Sequence, residues 1–161
     1  MAKIQKEKAE LRMYGMVPYQ LSGIQQGIQF GHAVVEYGLA NNTTLYKDWA
    51  KNWKTFIILN GGTTNMSKTK PGTLNQHLKE LKSLGIKVAT FHEPDLGDQL
   101  TAVVFILDEK IFNKKKYPDY DVWLTENNLV SSGKEKGAWI KFVGGYKNVK
   151  IRNFISKFKL A

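Results

Sequence analysis

Four short apolar runs, each closed off by turn residues, constrain what this chain can fold into more than any other feature. They are expected to form strands near residues 11–17, 55–60, 86–92 and 101–107. Each run is strand-length and rich in β-branched or aromatic residues. Thr55-Phe56-Ile57-Ile58-Leu59 is apolar along nearly its whole length, which suits a central strand covered on both faces.

The intervening segments have helical signals. Pro18 and Ser22-Gly23 end the first run, and Ser22 is placed to cap a helix running to about Ala40. Asn41-Asn42-Thr43-Thr44 breaks it, and Leu45 to Trp53 reads as a short amphipathic helix. Asn60 to Gly72 is a polar loop. Leu74, Leu78, Leu81 and Leu84 give Thr73–Leu84 helical periodicity, with Gly85 as its stop. The order β-α-α-β-α-β-β predicts an α/β fold, a four-stranded mixed sheet flanked by helices in three layers. With 161 residues the chain fits one hydrophobic core.

Residues 110–161 read as a basic extension packed on the 1–109 domain. Lys114 to Tyr120 and Ser131 to Gly137 are expected as loops, and Trp139-Ile140-Lys141-Phe142 alternates like a strand. Asn148 to Phe158 fits a terminal helix with Val149, Ile151, Ile155 and Phe158 on its buried side. The net charge of +10 is concentrated here. Residues 1–109 carry 12 Lys+Arg against 10 Asp+Glu, whereas residues 110–161 carry 12 against 4. Such asymmetry suits a polyanion partner or, more simply, a solubilising face.

Composition removes several function classes. There is no cysteine, so disulfides and thiolate metal centres are excluded. His32, His77 and His92 have no metal-ligand spacing, and no metal site is expected. Met1 to Lys8 lacks the apolar segment of a signal peptide, and no run approaches membrane-spanning length, so a cytoplasmic protein is expected.

Candidate chemistry falls in four places. Gln25, Gln29, His32 and Glu36 lie within an arc of roughly 60° on the first helix. A solvated face would explain them. However, amides and a histidine replace the usual Lys and Glu, and the stripe begins just after the first strand, where α/β folds collect ligands. Glu93 and Asp95 flank Pro94 after the third strand, in a turn that could be merely capped or could do acid/base work. Thr101 could direct a hydroxyl back at Asp95. Asn60-Gly61-Gly62-Thr63-Thr64 could cradle an anion but lacks a P-loop pattern, and a connecting loop is the simpler reading. Tyr117, Tyr120 and Trp123, interleaved with Lys114, Lys115 and Lys116, could stack bases over held phosphates or could anchor the extension.

Taken in order, these pieces resemble the type II peptidyl-tRNA hydrolase family. Its first-helix signature, Lys-x-x-x-Gln-x-x-His-Ala, is matched by Gln29, His32 and Ala33, with Gln25 in place of the lysine. Trp53 before the second strand and Leu84-Gly85 before the third also match. Asp95-Leu96-Gly97-Asp98 and Thr101-Ala102-Val103-Val104 occupy the places of the family's acidic turn and last strand, although the turn threonine is lost and Asp98 replaces an arginine. The resemblance covers about residues 11–109. It implies hydrolysis of the ester joining a peptide to the terminal ribose of tRNA, without metal or cofactor. Asp95 would orient or deprotonate water with Thr101 holding it, and His32 and the amides Gln25 and Gln29 would contact substrate or charge; outside the resemblance, the basic extension with Lys114, Lys115 and Lys116 suits RNA. Because Gln25 supplies a dipole where the family has a full charge, a catalytically weak module binding tRNA or a nucleotide-bearing ligand is the alternative. The oligomeric state stays open, a dimer included.

Overall fold

The computed structural model describes residues 8–64 and 69–161. The polar loop's residues 65–68 and the first seven residues, on which the leader reading rests, lie outside them. The strands are β1 (Leu11–Val17), β2 (Thr55–Asn60), β3 (Ala89–Glu93) and β4 (Gln99–Asp108). They form one sheet in the order β2-β1-β4-β3, with β1 parallel to β2 and antiparallel to β4, and β3 antiparallel to β4. The mixed four-stranded sheet is therefore present. Its third strand starts at Ala89, because Ile86 and Val88 pack against the core before the ladder begins.

Strand alternation divides the core in two. Leu11, Met13 and Val17 of β1, with Ala102, Val104 and Ile106 of β4, face α1 (Gly23–Ala40) through Phe30, Ala33 and Tyr37. On the same face lie α2 (Thr44–Asp48) and the π-helical turn Trp49–Trp53 that continues it. Tyr14, Met16, Val103, Phe105 and Leu107 point the other way, onto α3 (Thr73–Ser83) and the last helix. Helices thus cover both faces of the sheet, as the period-2 alternation of its central strands requires.

Gly15 explains how closely α1 sits on the sheet: a Cβ there would come within 2.2 Å of the Phe30 ring. The outer surface of α1 is unusual. Ile24, Ile28, Val35 and Leu39 are 51–80% exposed, while the polar stripe runs along the border of the buried face.

After β4 come α4 (Glu109–Phe112), α5 (Tyr120–Glu126), α6 (Gly133–Phe142) and α7 (Tyr146–Ile155). The expected Trp139–Phe142 strand and Ser131–Gly137 loop are both corrected by α6. Ser132 caps it by accepting from the Glu135 amide, and Trp139 and Val143 are buried four residues apart, a helical spacing. α7 begins at Tyr146; Ile151 is buried, and Ile155 and Phe158 pack against the same core cluster as expected, with Phe154 and Arg152 buried beside them and Val149 only half-buried. The expected central strand at Thr55–Leu59 is instead edge strand β2, whose Asn60, Ile58 and Leu59 meet the chain end through Asn60 N–H to Lys159 O, Ala161 N–H to Ile58 O and a Leu59–Leu160 bridge. That tail covers part of an otherwise open sheet edge.

Candidate functional site

β1, β2 and β3 all end on the side of the sheet where β4 begins, so the first turns of α1 and the β3–β4 connection converge there. β3 ends in a short 3-10 turn, Pro94–Leu96. The Glu93 carboxylate accepts from the Asp95 amide, and Gly97, at φ 66°, closes the turn. Between Phe91 and His92 the ladder shifts register, from Phe91↔Ala102 to His92↔Leu100. Thr101 is the extra residue on β4. Such a bulge redirects a side chain, and here it turns Thr101 toward α1 while Leu100 stays in the opposite core cluster.

The result is a chain of hydrogen bonds between residues remote in sequence. The Thr101 hydroxyl, fully buried, donates to Gln29 Oε1 and lies 3.3 Å from Phe91 O. Gln29 Nε2 donates in turn to the Glu93 carboxylate at 2.6 Å. Gln29 is only 7% exposed, so it belongs to the floor of this region and not to a solvated face. His32, one turn further along α1, is exposed, with its ring 4.4 Å from that of Phe91. Asp95 is also exposed, and its carboxylate has no hydrogen-bond partner among the described residues.

Gln25 is used differently. Its Oε1 accepts from the Ser22 amide at 3.0 Å while its own amide donates to Ser22 Oγ, a complete capping box at the start of α1. The structure therefore links Gln29 and Thr101 directly and leaves His32 and Asp95 exposed, but engages Gln25 in the helix cap. Glu93 was visible in the sequence only as half of an acidic turn. The signal for its partnership is alternation: Ala89, Phe91 and Glu93 share the face of β3 toward α1.

The basic loop is tied up internally. Lys114 pairs with Asp119, and Lys116 pairs with Glu109 at 2.7 Å, leaving Lys115 exposed. Arg152, whose side chain is 2% exposed, donates to Lys110 O, Tyr117 O and the Asp119 carboxylate at 2.6–2.8 Å. Burial pushes the Asp119 carboxyl up, but the hydrogen bonds and charges of Lys114 and Arg152 outweigh it and hold it below the usual carboxylate range. Tyr117 packs on Phe142, Tyr120 on Trp139, and Trp123 on both Tyr120 and Phe142. These rings pack on one another within the extension. In the loop after β2, the Gly61 amide donates to Val17 O, the Gly62 amide to Asn60 Oδ1 and the Thr63 amide to Thr73 Oγ1. Those amides are spent, so no anion cradle forms from them.

No protein-family model matches this chain, and no curated protein matches it either. Among the described residues no helix is long and apolar enough to cross a membrane, and no group of three His, Asp or Glu side chains could hold a metal.

Proposed function

We propose that this protein hydrolyses the ester of peptidyl-tRNA or a related acylated tRNA, at the end of the sheet where α1 meets the β3–β4 turn. The observation that carries the reading is the Thr101–Gln29–Glu93 hydrogen-bond chain. It fixes the three elements that hold His32 and Asp95, the pieces on which the resemblance to type II peptidyl-tRNA hydrolases also rests. Asp95 is the base: its carboxylate is exposed and uncommitted, so it can take a proton from water. Glu93 is a positioning residue, held by Gln29 and the Asp95 amide. Thr101 orients Gln29 and does not hold water, because its hydroxyl is buried and already donating. His32 faces the substrate, and the exposed Ile28 and Val35 beside it on α1 suit an acyl or peptidyl group.

A second reading, binding of tRNA or a nucleotide-bearing ligand without catalysis, is favoured by one observation: the Gln29 amide is engaged at both ends within the protein and the residue is only 7% exposed, so at most one buried N–H remains for an oxyanion. Incubation with N-acylated aminoacyl-tRNA, with release of the acyl group followed on gels, separates the two. The wild type should cleave, and Asp95→Asn should lower the rate by about 10²–10⁴-fold with tRNA affinity retained. Equal cleavage by both proteins would remove Asp95 from the mechanism, and tRNA binding without cleavage would establish the second reading.

A further inference from the structure

The opposite end of the sheet carries a different kind of site. With both Lys114 and Lys116 paired to carboxylates, the positive charge of the extension must be sought elsewhere. Lys147 and Lys150 lie three residues apart on α7, so they share a face. Among the described residues neither has a carboxylate partner: Lys147 Nζ donates to Gly85 O at 3.0 Å, and Lys150 Nζ sits 5.0 Å from the centre of the Tyr146 ring. Between α7 and the C-terminal end of α3 is a cavity of about 220 Å³ lined by Ser83, Leu84, Tyr146, Lys147 and Lys150, with no acidic residue.

A second cavity, of about 340 Å³, shares Lys147 and extends past Lys87 and Asn148 to Asp108. Asp108 accepts from the Lys110 amide, and the nearby Glu80 pairs with Lys157 at 3.6 Å. Along the groove Lys87, Lys147 and Lys150 thus outnumber the one lining carboxylate, Asp108, which keeps its charge and lies in the part of the groove away from Lys150. Tyr146 is 63% exposed, although a tyrosine ring gains most by being covered. The first turn of α7 adds to the positive field, since no side chain caps it and no acidic residue lies in it.

We propose that this groove binds the sugar-phosphate backbone of a single-stranded nucleic acid segment, with Lys147 and Lys150 on phosphates and Tyr146 stacking on a base. The combination of lysines with an uncovered ring distinguishes this from a surface that reads charge alone, because base stacking adds affinity that a ring-free polyanion cannot supply. Lys147 can keep its bond to Gly85 and still offer two donors to a phosphate. β4 spans ten residues from one end of the sheet to the other, which sets the groove about 30 Å from the Thr101 end. The groove's occupancy does not depend on ester hydrolysis.

Fluorescence anisotropy with a labelled oligouridylate, titrated across a salt series, tests the assignment on the full chain. Lys147→Ala/Lys150→Ala should reduce the slope of log affinity against log salt by up to about 1.4, from roughly 0.7 per single-strand phosphate contact. Tyr146→Ala should weaken binding by at least about fivefold, and Tyr146→Phe should restore it. Lys150→Ala alone leaves the Gly85 contact intact and should still lower the slope by about 0.7. An unchanged slope and affinity in these folded variants would overturn the proposal. So would equal losses on polyglutamate or anionic vesicles with Tyr146→Ala silent, since the groove would then recognise negative charge and not nucleic acid. The measurement reads binding only, so failure of ester cleavage leaves it unaffected.

Discussion

Replacing Thr101 with Val tests the hydrogen-bond chain at its most buried point. Valine preserves the branched shape but removes the donor to Gln29 Oε1, and among the described residues no other group donates to that oxygen. Gln29 is 7% exposed, so water cannot readily take the vacant place. A buried acceptor left unsatisfied costs about 1–3 kcal/mol. For a domain of this size each kcal/mol corresponds to roughly 2–4 °C, so the melting temperature should fall by about 2–12 °C. Urea unfolding followed by circular dichroism supplies the free energy, and Thr101→Ser, which keeps the hydroxyl, should lose less. The specific claim is coupling. Gln29→Met by itself frees Glu93 and leaves the Thr101 hydroxyl only its contact with Phe91 O. The double variant should therefore lose less than the two single losses added together, by about 0.5–3 kcal/mol. Additivity within about 0.3–0.5 kcal/mol would mean that the Thr101–Gln29 bond does not form in solution, and the positioning argument would fall with it.

Gly15→Ala should destabilise the protein by about 1–3 kcal/mol or more through overpacking, because its methyl would lie 2.2 Å from the Phe30 ring; a melting temperature equal to wild type would show that α1 can move away freely. Arg152→Met should cost on the order of 2 kcal/mol, below the ~3–5 of a fully buried pair because the Asp119 side chain is 56% exposed and can regain water. The Asp119 carboxyl is held low in the folded state. Its contribution is thus present above its unfolded pKa of about 3.9 and is lost as pH falls through the lower folded value. Urea unfolding of both proteins should show their difference narrowing below about pH 4, whereas a constant gap from pH 2 to 7 would exclude Asp119 as the partner that matters.

Neighbouring residues suffice to specify the local elements. The strand-length apolar runs at Leu11–Val17 and Thr101–Leu107, the leucine repeat of Thr73–Leu84 and the Ser22 cap are written in neighbouring residues, and run length, turn residues and a period of 3.6 need nothing else. The sequence misled where two periods fit the same letters. Trp139-Ile140-Lys141-Phe142 alternates, yet Trp139 and Val143 are buried as a helical pair, and only the surface they pack against decides between the readings. The site divides in the same way. Gln29, His32, Asp95 and Thr101 could be singled out as residues, but whether a polar stripe faces water or a core is not a local property. Gln29 is buried because Glu93 and Thr101, 64 and 72 positions away, satisfy both ends of its amide. A one-residue bulge in β4 aims Thr101 there. Likewise, twelve lysines and arginines in the last third give a charge but not its availability. Tertiary contacts decided that Lys114 and Lys116 are neutralised by nearby carboxylates, Arg152 is buried as a clamp, and Lys147 and Lys150 remain without a carboxylate beside an exposed tyrosine. Local propensity acts over a few residues, whereas pairing of a charge or an amide depends on which distant groups the fold brings within about 3 Å.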